Sequence, residues 1–183
     1  MRAVMAEVPA DFLQLRRHRG ADIWDEMWEG VLHMPPAPNI AHQDFEYALE
    51  AWLRTYWAYV PERRVYHGVN VAPAGGWPDD YRIPDLVLLA EDCAAKNRGE
   101  WLEGPPTVVI EIHSPGDEAL DKLPFYASLG VPEVWVVSPE ARTVEVLYLE
   151  NGFLRSTQIL AQGAITPRQF PHVTVGIDSI WPD

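Results

Sequence analysis

The strongest periodicity in the chain lies in the segment IAHQDFEYALEAWLRTYWAY, from Ile40 onward. Ala41, Phe45, Ala48, Leu49, Trp52, Leu53 and Tyr56 recur at i, i+3, i+4 and i+7, which predicts one apolar stripe along a helix. Asn39 precedes that helix in the place of an N-cap. His42 and Glu46 lie one turn apart at the edge of the stripe, where they would border the core and face a cleft. A short helix is expected over residues 9–18, and another from Glu118 to Leu129. Pro124 gives that last helix a late start or a kink, and Gly130 stops it.

Other stretches follow the rhythm of strands. Ile23 to Met34 reads as two short strands around the turn Glu29-Gly30. Residues 63–72 read as one strand, and Trp77-Pro78-Asp79-Asp80 as a turn. Residues 82–89 and 106–112 are near-continuous apolar runs, the kind buried on both faces of a sheet. A charged connection, Glu91 to Gly104, joins them. Val134-Trp135-Val136-Val137 is a further strand. Residues 143–149 and 153–160 form a hairpin around Glu150-Asn151-Gly152, and His172 to Ile177 a last short strand. This order predicts an α/β (mixed α+β) fold: a mixed central β-sheet flanked by helices, with an added antiparallel hairpin.

At 183 residues and 48% apolar composition, with no linker-like stretch, residues 1–183 are expected to form a single domain. No apolar run approaches the ~20 residues that span a bilayer. The first residues, MRAVMAEVPADFLQL, lack the apolar core of a signal peptide. One cysteine, Cys93, excludes an intramolecular disulfide, so the expectation is a cytoplasmic protein with no membrane partner. Eight tryptophans point to a packed core or a buried subunit contact, and a homodimer is expected. The formal net charge of −13 argues against a protein that coats nucleic acid through a broad basic surface. It is compatible with an acidic site that takes up cations.

Two carboxylates change the picture. Asp85 lies within Arg82-Ile83-Pro84-Asp85-Leu86-Val87, and Glu111 within Val108-Val109-Ile110-Glu111-Ile112. A carboxylate in such a run is costly to bury unless a cation, a metal or a donor meets it. Lys122 follows shortly downstream. Two acids on adjacent strands give the partial shell that Mg²⁺ (or Mn²⁺) prefers, and the carbonyl of Ile112 can add a ligand. A lysine beside them can orient or polarise an attacking water. This set suits metal-dependent hydrolysis of a phosphodiester.

The same residues carry a resemblance. Pro84-Asp85 followed by Glu111 resembles the PD-(D/E)XK nuclease superfamily. The chain is most similar to its Uma-type family of restriction-endonuclease-like proteins, over about residues 10–180. Glu29-Gly30, Pro36-Ala37-Pro38-Asn39 and His42 match that pattern, as do Arg82 to Asp85 and Val109 to Pro115. Asp121-Lys122, Tyr126 and Gly130 to Val137 complete it. Two residues after the second acid, where the superfamily usually has lysine, this chain has His113, and Lys122 takes the lysine's place. Valine stands at 134 where a tyrosine is expected, and Ser138 where an aspartate often follows the strand.

The resemblance implies a restriction-endonuclease-like core and a Mg²⁺-dependent endonuclease acting on DNA. Asp85 and Glu111 would hold metal with Ile112, Lys122 would act on the water, and Glu46 with His42 would support the site. A nuclease-fold protein that binds without cutting is the alternative.

Overall fold

The computed structural model describes residues 3–181. Its centre is a six-stranded mixed sheet. In spatial order the strands are Phe153–Leu160, Thr143–Glu150, Glu133–Ser138, Val108–Ile112, Leu86–Leu89 and Arg64–His67. All neighbours are antiparallel except Val108–Ile112 and Glu133–Ser138, which run parallel. A parallel pair needs a crossover, and the helix Leu123–Leu129 lies in that connection. The fold is the mixed sheet with flanking helices and an added hairpin that the residue pattern predicts.

Alternation along the strands assigns the two faces. Leu86, Leu88, Val108, Ile110 and Ile112 pack with Phe45, Leu49 and Leu53 of the long helix Ile40–Tyr56. Val87 and Val109 face the other way and pack with Phe125 and Tyr126 of the short helix. Glu111 lies between Ile110 and Ile112, so it belongs to the short-helix face. The sequence from Ile165 to Ile180 folds back and adds Phe170, Val175 and Ile177 to the first core. Glu133 fastens it there, accepting the Arg168 N–H at 3.0 Å and the Trp135 indole N–H at 2.7 Å.

Several expected boundaries move. Residues 63–72 form two strands, Arg64–His67 and Asn70–Ala72, because Gly68 turns the chain with a φ of 54°. The charged connection contains two strands, Lys96–Asn97 and Trp101–Glu103, which build a small three-stranded sheet with Asn70–Ala72. Asp85 sits just before its strand rather than inside it, since pairing begins at Leu86. Glu118 to Leu129 starts late, as a 3₁₀ turn Leu120–Lys122 followed by the α-helix from Leu123. In the long helix Ala41 and Tyr56 are exposed, and Trp57, just past its end, is buried instead. Trp57, the C-cap, keeps right-handed helical dihedrals and bonds back to the Leu53 carbonyl, so it follows Leu49 and Leu53 on the buried stripe.

Candidate functional site

A cavity of about 410 Å³ opens where the long helix, the sheet end and the Ser114–Lys122 connection meet. Asp85, Glu111, Lys122, His42 and Glu46 all line it, with Glu26 added from the strand Glu26–Trp28. The proline-rich stretch Pro35–Pro38 and Pro84 supply an apolar wall. Pairing of Leu86 with Ile110 sets the two acid-bearing strands side by side.

Asp85 ties the layers together. One carboxylate oxygen accepts the backbone N–H of Ile112 at 2.6 Å. The other lies 3.0 Å from His42 Nε2. Asn39 caps the long helix by accepting the His42 N–H, which fixes the turn that presents the imidazole. Among the described residues, His42, Glu46 and Asp85 have donor atoms within 4.8 Å of one another, close enough to share one metal ion. Burial opposes charge on His42, but its bond to Asp85 and the charges of Asp85 and Glu46 outweigh burial and raise its pKa. Burial, with help from Asp85, raises the Glu46 pKa.

Glu111 and Lys122 form the deeper half. Lys122 Nζ lies 3.3 Å from a Glu111 oxygen and 2.9 Å from Glu26, and it donates to the Ile83 carbonyl at 2.8 Å. The Tyr126 hydroxyl donates to the second Glu111 oxygen. Burial pushes the Glu111 carboxyl up to about 8; Lys122 and the tyrosine bond lower it, while Asp85 raises it further. Burial disfavours the Lys122 charge, yet Glu111, Glu26 and Asp85 together raise its pKa. The ammonium therefore stays charged between the buried carboxyl groups of Glu26 and Glu111.

The family model for Uma2, described as "Putative restriction endonuclease", matches residues 9–176. The chain belongs to the Uma2 family. No curated protein matches it. A solved structure it resembles is that of "a putative nuclease belonging to DUF820" from Anabaena variabilis ATCC 29413. That likeness has a TM-score of 0.69 at 15% identity, over 86% of this chain and 89% of that one. At this identity it shows a shared fold.

In this Uma2 chain, His42, Glu46, Asp85, Glu111, Ile112 and Lys122 line the same cavity. Lys122 reaches Glu111 from the 3₁₀ turn before the helix. Arg82 bonds Asp80 at 2.9 Å and lies between the rings of Trp28 and Phe125, so it is not the partner of Asp85. The Lys122 ammonium contacts Glu26 and Glu111, not Glu118, which bonds His33 at 2.8 Å. His113 lies outside the cavity lining and bonds Asp117 at 2.9 Å.

Glu26 was not among the sequence candidates. With Asp25 before it and Glu29 three residues on, it lacks the unbroken apolar run that marks Glu111. No helix among the described residues is long and apolar enough to cross a membrane.

Proposed function

We propose that this protein is a divalent-metal-dependent endonuclease that hydrolyses DNA phosphodiesters. The observation that carries the reading is the convergence of Asp85, Glu111 and Lys122, from three separate elements, on one cavity. Lys122 is a buried cation 3.3 Å from a carboxylate in a cleft, a pairing that serves hydrolysis better than it serves stability.

The donor chemistry fits Mg²⁺ or Mn²⁺. Asp85 and Glu111, with the Ile112 carbonyl, offer hard oxygens. Glu46 and His42 lie close enough to Asp85 to complete the shell, and an imidazole favours Mn²⁺ over Mg²⁺. A bound divalent cation would neutralise charge that develops on the phosphate and make water a better nucleophile. Lys122 holds a positive charge at the floor of the cavity and orients the water. Tyr126 and Glu26 hold Glu111 and Lys122 in place. The apolar wall of prolines limits bulk water.

Purified protein incubated with plasmid DNA and Mn²⁺ or Mg²⁺ tests the reading. Cleavage is expected, and Asp85→Asn should reduce it by at least ~10²-fold while calorimetry shows weakened Mn²⁺ binding. Cleavage unchanged in Asp85→Asn would place the activity elsewhere.

A second reading is a nuclease-fold protein that binds without cutting. Both Glu111 oxygens are already bonded, to Lys122 and Tyr126, and burial holds its proton to about pH 8. On this reading the protein folds normally and titrates with Mn²⁺ without heat. A homodimer completes the proposal. It would place two such sites on one duplex, one for each strand.

A further inference from the structure

Among the described residues, the central sheet ends in a strand with nothing paired on its outer side. Phe153–Leu160 is eight residues long and hydrogen-bonds only to Thr143–Glu150. Among the described residues, no backbone hydrogen bond from outside the hairpin reaches it. Proteins commonly blunt such an edge with lysine or proline. This strand has neither, and its one charge is Arg155. Phe153 and Ile159 are 66% and 67% exposed.

The strand reads the same in both directions. Phe-Leu-Arg-Ser-Thr-Gln-Ile-Leu is two apolar residues, four polar residues and two apolar residues. Its faces are symmetric too. Opposed residues in a ladder share a face. Phe153, Arg155, Gln158 and Leu160 oppose Glu150, Tyr148, Val146 and Val144, which share one face. Leu154, Ser156 and Ile159 oppose Leu149, Leu147 and Glu145 on the other. The register shifts between Val146 and Leu147, so Thr157 is an extra residue set beside Ser156 opposite Leu147.

A two-fold axis between Ser156 and Thr157 therefore brings like to like. Phe153 meets Leu160, Leu154 meets Ile159, Arg155 meets Gln158 and Ser156 meets Thr157. The three outer pairs then each share a face, with Ser156 and the bulge residue Thr157 at the centre, and no like charges meet. In an unbulged strand, a centre between two residues would oppose side chains of opposite faces. The bulge is what makes this edge self-complementary. The strand also carries no carboxylate, in a chain with 27 acidic residues against 14 Lys and Arg. Two such acidic molecules meet here with little local repulsion.

We propose that a second copy of this chain docks on Phe153–Leu160, forming an isologous dimer whose sheet runs through both copies. The proposal rests on the homodimer reading above, names its surface, and is independent of catalysis. Light scattering is expected to give twice the 20.7 kDa chain mass. The double variant Phe153→Lys/Ile159→Lys changes only exposed side chains and should return the mass to one chain with an unchanged circular dichroism spectrum. In the wild type, hydrogen exchange at residues 153–160 should slow as protein concentration rises. A wild type that stays monomeric overturns both the dimer and the surface. A dimer that survives the double variant, with exchange at 153–160 independent of concentration, overturns the surface and leaves a dimer of another kind.

Discussion

At the scale of the residue, burial governs the site. Glu111 is pushed up to about 8 chiefly because its carboxylate is out of water, and Lys122 only partly offsets that. The folded pKa lies above the ordinary value of 4.5, so the folded state holds an extra proton between those limits. Stability tied to this group is fully present below the lower value and is lost as the pH rises through about 8. Relative to Glu111→Gln, the wild type should therefore lose thermal stability as the pH rises from about 5 to about 8. Melting curves of both proteins across that range check it. A wild type that gains stability relative to Glu111→Gln as the pH rises would mean that Glu111 is already ionised in the fold.

At the scale of the element, the first turn of the long helix connects local capping to the site. Asn39 accepts the His42 N–H at 2.9 Å, and His42 in turn reaches Asp85. The cap thus holds the turn that carries one proposed metal ligand. Asn39→Ala should cost about 1 kcal/mol of stability by denaturant unfolding. It should also weaken Mn²⁺ binding, because the imidazole loses its fixed starting point. A stability loss with Mn²⁺ affinity untouched would separate the helix end from the site. Turn residues act at the same scale. Asn151 and Gly152 both take positive φ, 52° and 81°, which is what a two-residue hairpin turn of primed type needs. The hairpin, and with it the free sheet edge, follows from that dipeptide.

At the scale of the whole molecule, charge and assembly meet. Each chain carries −13, so two copies repel at long range even where their contact edge is free of acid. Salt screens that repulsion within a Debye length of ~8 Å at physiological ionic strength. The dimer fraction should therefore rise with added salt, as read by light scattering at fixed protein concentration. A fraction that falls with salt would mean that ion pairs, rather than strand pairing and apolar contact, hold the copies together. The same charge sets a limit on DNA affinity. On the proposed reading, contact with the phosphates would centre on the cavity and on any cation bound there.

Most of the fold was legible because its signals are local. The period of the long helix, the apolar runs around Asp85 and Glu111 and the Asn151-Gly152 turn each depend on neighbours in sequence. An acid in a β-branched run is conspicuous for the same reason, which is how Asp85 and Glu111 stood out. The break at Gly68 and the small strands Lys96–Asn97 and Trp101–Glu103 were not legible, since short polar strands form only when a distant partner completes the ladder. Glu26 needed more still. Its role follows from Lys122, 96 positions away in sequence and 2.9 Å away in space. The sequence by itself determined which elements form and which residue types carry chemistry. Only the tertiary structure decided which charges share a cavity, because burial and pairing energies depend on contacts that sequence separation does not encode.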